Sequence, residues 1–259
     1  MNWRVGVVGF PIEHSLSPQL HEFGLRRAGL IGSSERIPLP LERAGELVSL
    51  MGNPFDALSV TMPLKKVAAE ICLGLDPVAQ RLGVVNTLRF RDGVLEGCAF
   101  DGPGFISALE GEWGVSAAGL RVLIDGAGGS ALAIVDALAT QGAASITVRA
   151  RNPESAERLR QISPIVQTFE EFDGALDLVI NTTPSSTRVA AFVDRGVSAE
   201  TVAIDVTYDP LWSPWRQAYA DHGCRTSSGL AMLAYQAALT MQWWWGVEQS
   251  GHDLLEAIS

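Results

Sequence analysis

Short apolar runs alternate along this chain with segments that have a helical pattern. The runs predict buried strands at residues 5–8, 58–61, 121–125, 145–149, 178–181 and 202–206. Helices are predicted to begin near Ser17-Pro18, Pro63, Asp101, Ser213-Pro214 and Gly229, with a last one from about His252. Strands that alternate with helices are typical of βαβ units, in which helices cover the faces of a parallel sheet. The predicted fold class is therefore α/β.

The pattern also indicates where one folding unit gives way to the next. Residues 85–90 and 94–100 flank Asp92-Gly93, a pair that tolerates the positive φ of a tight hairpin turn, and we expect this hairpin at a sheet edge. After Asp101 the alternation starts again with a helix, a strand and a second helix. The chain has 259 residues, which suits two domains of modest size.

Charge and composition exclude several classes of function. The net charge is −10 and no basic stripe is visible, so nucleic acid and anionic membranes are poor partners. Residues 229–247 carry no charge, but their polar and Trp content favours a buried helix over a membrane span. Three scattered cysteines without CxxC spacing and an N-terminus unlike a signal peptide predict a cytoplasmic protein without a disulfide framework.

A glycine-rich segment follows the predicted strand at 121–125 and directly precedes a helix. Its candidate ligand-binding residues are Gly126, Ala127, Gly128, Gly129 and Ser130. Glycines let the backbone approach a pyrophosphate, and a helix N-terminus offers free N–H groups and a positive dipole end. This context favours nucleotide binding over the alternative, a merely tight turn.

The end of the next predicted strand bears on the identity of the nucleotide. An acidic residue there would bind the ribose 2′-hydroxyl of NAD, whereas arginine accepts the 2′-phosphate of NADP. The chain has Arg149 and Arg151 at this point and no carboxylate before Glu154. The sequence therefore favours NADP, although the two arginines could instead be a solvated loop pair.

Two further pairs suggest a carboxylate ligand and a proton-transfer site. Ser15 and Ser17 alternate in extended chain beside a helix start, where two hydroxyls suit a carboxylate ligand; alternatively Ser17 is an ordinary N-cap. Lys65 lies in the first turn of a helix, where the dipole disfavours a cation, and Asp101 follows the hairpin. A lysine and a carboxylate that share a cleft can move a proton to or from a hydroxyl.

The histidines and the tryptophans offer no comparable case. His14, His21, His222 and His252 are not spaced as metal ligands, so we predict that they pack or lie at the surface and that the protein has no metal site. The Trp cluster at 243–245 is expected in the core or at an interface.

Together these features make the chain similar to the shikimate dehydrogenases over nearly its whole length. The resemblance is carried by GFPIEHSLSP at 9–18, VTMPLK at 60–65, GVVNTL at 83–88, Asp101-Gly102, the glycine loop at 126, NTTP at 181–184, DVTYDP at 205–210 and GLAMLAYQAA at 229–238. It implies reversible, NADP-dependent reduction of 3-dehydroshikimate to shikimate, a step of aromatic amino acid (chorismate) biosynthesis. The partner would be a small-molecule substrate, and the assembly a monomer or a homodimer.

The resemblance also implies a domain layout and residue roles. A substrate domain, residues 1–101 completed by helices in 229–259, would accompany a Rossmann-like NADP domain at 102–228, with the cleft between them. Lys65 and Asp101 would act on the reacting hydroxyl, and the serine pair would hold the substrate carboxylate. Further substrate contacts would be Thr61, Asn86, Tyr208 and Gln236. The cofactor would be bound by the glycine loop, by Arg149, with Arg151 on the 2′-phosphate, and by Thr182, Gly229 and Met232.

Four residues depart from the family pattern. Ser59 and Ala99 stand where the family usually has Asn, Phe100 where it usually has Thr, and Ala150 where Asn is common. Strand alternation predicts that Phe100 faces away from Asp101. These changes keep open a dehydrogenase for quinate or aminoshikimate, and a weakly catalytic ligand-binding or regulatory descendant.

Overall fold

The computed structural model describes residues 2–169, 172, 174–183, 193 and 195–259. Its strands are β1 (Asn2–Gly9), β2 (Ile31–Pro38), β3 (Ala57–Val60), β4 (Gly74–Leu75), β5 (Thr87–Arg91), β6 (Val94–Cys98), β7 (Arg121–Asp125), β8 (Ser145–Arg149), β9 (Val166–Thr168), β10 (Leu178–Asn181), β11 (Val202–Asp205) and β12 (Arg225–Ser228). Its helices are α1 (Ser17–Arg27), α2 (Leu47–Leu50), α3 (Lys65–Ile71), α4 (Pro77–Leu82), α5 (Asp101–Gly111), α6 (Gly129–Thr140), α7 (Pro153–Arg160), α8 (Pro214–Asp221), α9 (Leu230–Trp245) and α10 (Gly251–Glu256), with a 3₁₀ helix at Leu41–Glu46.

The chain divides into two compact units. The first contains Met1–Gly104 and Leu233–Ser259, and the second contains Phe105–Met232. The chain passes from one unit to the other inside α5 and again inside α9. The boundaries predicted from sequence, after residues 101 and 228, fall at the starts of these two helices.

The first unit is built on a six-stranded mixed sheet in the order β2-β1-β3-β5-β6-β4. Strand β1 pairs in parallel with β2 and β3, whereas β5 runs antiparallel to both β3 and β6. The turn between β5 and β6 uses positive φ at Asp92 and Gly93, as the sequence predicts. The expectation that this hairpin forms the sheet edge is wrong, because the two-residue strand β4 pairs with the outer side of β6.

The second unit is built on six parallel strands in the order β12-β11-β10-β7-β8-β9. Counted from β7, the chain first adds β8 and β9 on one side and then β10, β11 and β12 on the other. This is the doubly wound Rossmann order, in which ligands bind where the winding direction changes, at the carboxyl ends of the central strands. Both sheets bear out the predicted α/β class.

The apolar pattern failed to indicate four of the described strands, β2, β4, β9 and β12. Each lies at an edge of its sheet, and β2 is exposed along most of its length. Edge strands are partly solvated, so they carry polar residues and lack the continuous apolar run of a buried strand.

Helix α9 explains the uncharged stretch at 229–247. Its apolar side packs on α1 through Leu20, Ala234, Ala237 and Met241. Near its end, the Trp244 indole N–H donates to the Leu88 carbonyl at 3.1 Å, and Arg89 stacks over the Trp243 ring at 4.1 Å. The Trp cluster therefore anchors α9 on strand β5. None of the described helices is long and apolar enough to cross a membrane.

Candidate active site

Lys65 and Asp101 form the central ion pair of the first unit. The Lys65 ammonium donates to Asp101 Oδ2 at 2.5 Å, and both side chains are mostly buried. Lys65 is the first residue of α3 and Asp101 the first residue of α5. An aspartate at a helix N-terminus is favoured by the dipole, and it compensates for the unfavourable position of the lysine. The two elements therefore bring the predicted catalytic pair together.

Asn86 holds the carboxylate of this pair from the other side. Its amide oxygen accepts from the Phe100 backbone N–H at 2.7 Å, which fixes which end of the amide carries the protons. Its Nδ2 then donates to Asp101 Oδ1 at 2.9 Å and to Gln236 Oε1 at 3.1 Å. Gln236 in turn donates to the Leu233 carbonyl at 2.8 Å. Four predicted site residues thus form one hydrogen-bonded group with defined orientations.

The serine pair lies at the start of α1, and both side chains are buried. The Ser15 hydroxyl donates to the Ser17 hydroxyl and accepts from the Ser17 backbone N–H, each at 3.3 Å. Leu16 is the N-cap of α1, and no side chain caps the helix. The alternative that Ser17 is an ordinary N-cap is therefore wrong. Arg36 donates to the Ser15 carbonyl at 2.8 Å and so holds this turn in place.

Thr61 directly follows β3, and its backbone N–H donates to the Val8 carbonyl at 2.9 Å. Gly9 lies against it, because a Cβ on Gly9 would stand 2.4 Å from Thr61 Cγ2. The close approach of β1 and β3 at their carboxyl ends therefore determines the position of Thr61.

His21 is a residue of this unit that the sequence assigned only to packing or to the surface. Its ring nitrogens contact the hydroxyls of Ser34 at 2.9 Å and Ser59 at 3.1 Å, and its ring meets Trp244 edge-on. Complete burial lowers the pKa of His21 to about 3, so the ring is neutral at physiological pH. His21 lies one helical turn after Ser17 on α1, and it links that helix to β2 and β3.

Two of the four departures from the family pattern, Ser59 and Phe100, have a structural explanation here. His21 forms a hydrogen bond with the Ser59 hydroxyl, so the polar group at this position already has a partner within the protein. The Phe100 ring packs edge-on against Trp243 with centroids 6.2 Å apart, while Asp101 contacts Lys65 and Asn86. Strand alternation is the wrong reason for this separation, because Asp101 is already helical and β6 ends at Cys98.

In the second unit, the glycine loop joins β7 to α6. Gly126 has a φ of 116°, and a Cβ there would lie 2.2 Å from Thr182 Oγ1. Gly128, in contrast, has an ordinary φ of −84°, and no atom of the described residues lies within 4 Å of its Cβ position. Among these residues no contact requires glycine at Gly128, so its missing side chain leaves room for something that approaches the loop. The N-terminus of α6 has no side-chain cap.

The two arginines after β8 are placed differently. Arg149 forms a fork on Asp125, with Nε donating to Oδ1 at 3.0 Å and Nη2 donating to Oδ2. Arg151 is exposed. Asp125, buried at the end of β7, also adds to the effect of burial in raising the pKa of Tyr219. The strand-end pattern did not distinguish the two arginines, whereas the family resemblance assigned Arg151 to the 2′-phosphate. In the structure Asp125 holds Arg149, and Arg151 is the exposed one.

The other predicted cofactor residues lie at the carboxyl ends of the same sheet or next to them. Thr182 follows β10, and its hydroxyl donates to the Asp125 carbonyl at 3.0 Å. Gly229 is required by packing, because a Cβ there would stand 2.0 Å from the Val206 carbonyl oxygen. Met232 is buried on α9. Tyr208, a predicted substrate contact, is half-buried in the loop after β11. Pro184, the last residue of the NTTP motif, lies outside the described residues.

The chain was compared with known proteins. Residues 7–88 match the family model of the shikimate dehydrogenase substrate binding domain. A shikimate dehydrogenase (NADP(+)) from Bordetella avium is 39% identical over 98% of this chain and 94% of its own length. One from Exiguobacterium sp. is 37% identical over 98% of both chains. This chain belongs to the shikimate dehydrogenase family, as its motifs predict.

A solved structure agrees with this assignment. Shikimate 5-dehydrogenase from Thermus thermophilus, crystallised with NADP(H) and shikimate, superimposes with a TM-score of 0.88. It is 32% identical, with 98% of each chain covered. The two-domain α/β fold expected from the family resemblance is confirmed by this likeness.

One residue that holds the family's DVTYDP motif in place was missed by sequence reasoning. Asp205 is fully buried and accepts four hydrogen bonds, from Asn181 Nδ2, the Thr207 N–H and hydroxyl, and the Ser213 hydroxyl. It thereby ties the ends of β10 and β11 to the loop that carries Tyr208. The sequence contained a signal for this role, because Asp205 lies in an otherwise apolar predicted strand and a buried carboxylate needs hydrogen-bond partners.

Proposed function

We propose that this chain is an NADP-dependent oxidoreductase that interconverts shikimate and 3-dehydroshikimate, acting on a CH–OH group. The observation that carries the proposal is the Lys65–Asp101 pair, oriented by Asn86 and Gln236 in a chain of this family. A charged pair this well held is suited to moving a proton at one defined position. It argues against the alternative of a ligand-binding descendant without catalysis.

Lys65 is the proton donor in the reducing direction. Its ammonium has three protons, one of which is directed at Asp101, so another can reach the oxygen of the substrate carbonyl. As that oxygen becomes an alkoxide, Lys65 protonates it; in the oxidising direction Lys65 removes the proton from the hydroxyl. Asp101 keeps the ammonium pointed at the reacting oxygen.

The remaining polar groups of the first unit bind and orient the substrate ring. Ser15 and Ser17 donate to its carboxylate, because buried hydroxyls near an uncapped helix start find a suitable partner in an anion. Thr61 and Gln236 contact its hydroxyls. The Asn86 amide oxygen accepts one hydrogen bond from the Phe100 N–H, and its second lone pair can accept another from a substrate hydroxyl. We propose that Tyr208 is a further substrate contact.

The second unit fits a dinucleotide. The empty space at the Gly128 Cβ position and the uncapped N-terminus of α6 match a pyrophosphate, and Thr182, Gly229 and Met232 complete the candidate site. Exposed Arg151 is available to a 2′-phosphate, which favours NADP over NAD. When bound, the nicotinamide cofactor supplies or accepts the hydride.

An absorbance assay of nicotinamide reduction tests the proposal. The enzyme is given shikimate, quinate or aminoshikimate with NADP or NAD, and we expect the highest kcat/KM with shikimate and NADP. Reduction of the cofactor only with quinate or aminoshikimate would move the protein to one of those activities. No turnover with any pair would overturn the proposal of an enzyme.

We also propose a cytoplasmic location and an assembly no larger than a homodimer. Cys72, Cys98 and Cys224 are free thiols, as suits a reducing compartment. Within the described residues, no group of three His, Cys, Asp or Glu side chains could hold a metal ion. Light scattering after gel filtration measures the assembly.

A further inference from the structure

The carboxyl ends of β7 and β8 carry an ion pair next to the proposed cofactor site. Asp125 and Arg149 are the last residues of the two strands and are direct neighbours in the parallel register. Both arms of the fork are made, from Nε and from Nη2. The Arg149 carbonyl also accepts from the Gly126 N–H at 2.9 Å. The backbone of Arg149 is therefore tied to the first glycine of the loop, and its side chain is tied to Asp125.

Asp125 holds Arg149 strongly because the carboxylate is buried. Removing the guanidinium from it would leave an anion in the protein interior without its cation, which is far more costly than breaking an exposed pair. The fork also satisfies the planar, bidentate geometry that arginine prefers with carboxylates and phosphates. Nε and Nη2 of Arg149, the pair of donors with which arginine would bind a phosphate, are therefore already bonded to Asp125.

We propose that Asp125 sets how strongly this enzyme prefers NADP over NAD, by holding Arg149 away from the 2′-phosphate. Of the two arginines, only Arg151 then binds that phosphate. The inference rests on the proposed use of NADP and adds a specificity-determining residue to it. It predicts that loss of the Asp125 charge increases discrimination for the 2′-phosphate, because Arg149 becomes available as a second cation.

Nucleotide binding without turnover tests the inference. Titration calorimetry gives the dissociation constants of 5′-AMP and of adenosine 2′,5′-bisphosphate, which differ only in the 2′-phosphate. The readout is the constant of 5′-AMP divided by that of the bisphosphate, a ratio that increases with discrimination for the 2′-phosphate. In Arg151→Gln the ratio should fall about tenfold or more, the value of one charge-assisted hydrogen bond. In Asp125→Asn it should rise about tenfold. In Arg149→Gln it should fall less than in Arg151→Gln, because only the repulsion from the unpaired Asp125 carboxylate is added and no contact to the phosphate is lost.

Two controls separate this effect from general damage. Arg121 and Asp177 form a similar fork at the opposite end of β7, with distances of 2.9 and 2.7 Å, so Asp177→Asn removes the same charge far from the loop and should leave the ratio unchanged. The double variant Asp125→Asn with Arg149→Gln removes both charges together. It should return the ratio to the wild-type value, since the gain requires Arg149.

The outcomes distinguish a failure of the proposed role of Asp125 from a failure of the proposed preference for NADP. If Arg149→Gln lowers the ratio as far as Arg151→Gln, or if Asp125→Asn leaves it unchanged, Asp125 does not restrain Arg149 and the inference is overturned. If the wild-type protein binds both probes equally, the proposed preference for NADP fails instead. Circular dichroism melting checks that each variant is folded; should Asp125→Asn not fold, Asp125→Ser, which also lacks the charge, takes its place with the same expected rise.

Discussion

Gly104 packs directly against the backbone of Gln236. A Cβ on Gly104 would stand 2.5 Å from Gln236 Cβ and 2.6 Å from its Cα, distances that no side-chain rotation can relieve. Gly104 belongs to α5, which begins at Asp101, and Gln236 belongs to α9. The close crossing of these two helices therefore allows Gln236 to reach Asn86 and so support Asp101.

Gly104→Ala should displace Gln236 from Asn86. We expect a loss of about 1–3 kcal/mol in unfolding free energy from overpacking, and a several-fold rise in the KM for shikimate. Gly45→Ala is the matched control, because Gly45 has no atom within 4 Å of its Cβ position. In a Gln236→Ala background the Gly104 change should still lower stability but should no longer raise KM. An unchanged KM in the wild-type background would contradict the positioning role.

Lys65→Ala should lower kcat about 10²- to 10⁴-fold with a smaller effect on the substrate KM, because general acid–base catalysis acts in the transition state. Lys66→Ala is the control, since Lys66 is exposed on the same helix. Steady-state kinetics in both directions measure the effect. Turnover near the wild-type rate would remove Lys65 from the mechanism.

His21 should make the protein sensitive to acid. Its pKa is about 3 in the folded state and about 6.5 in the unfolded state, so between these values the unfolded chain binds the extra proton. Stability should then fall as the pH drops from about 6.5 towards 3, at up to about 1.4 kcal/mol per pH unit from this group. Urea unfolding at several pH values should give a flatter profile for His21→Gln.

The control for this experiment is His252→Gln, because the His252 side chain is 60% exposed. Its profile should keep the wild-type slope. Equal slopes in the wild-type protein and in His21→Gln would mean that other groups account for the acid sensitivity.

Ser17 and Ser213 each precede a proline at a helix start, yet they should respond differently to alanine. Ser213 caps α8 by accepting from the Arg216 N–H at 3.2 Å, and it also donates to buried Asp205 at 2.5 Å. Ser213→Ala should cost about 1–3 kcal/mol of stability. Ser17 caps nothing and accepts only a long hydrogen bond from Ser15, at 3.3 Å, so Ser17→Ala should cost less stability than Ser213→Ala and should raise the KM for shikimate instead. Thermal unfolding and kinetics on both variants measure this, and a large stability loss in Ser17→Ala would assign Ser17 a structural role.

The sequence predicted the buried strands and most helix starts well, and the reasons are local. The strands at 121–125 and 178–181 are continuous apolar runs, and Asp92-Gly93 has the turn chemistry of a hairpin. Edge strand β2 was missed because exposure removes the apolar pattern. For the candidate site, the residue types at Lys65 and Asp101 indicated acid–base chemistry before any contact was known, and the structure brings their charged groups together.

By itself the sequence determined the fold class, the family and the residues that can carry charge or hydrogen bonds, because these depend on side-chain chemistry and short-range spacing. Only the tertiary structure decided what each group does with its hydrogen bonds. It assigned Arg149 to Asp125, Ser59 to His21 and both protons of the Asn86 amide to Asp101 and Gln236. Such pairings join residues far apart in the chain, and they are set by how helices and strands pack rather than by any local pattern.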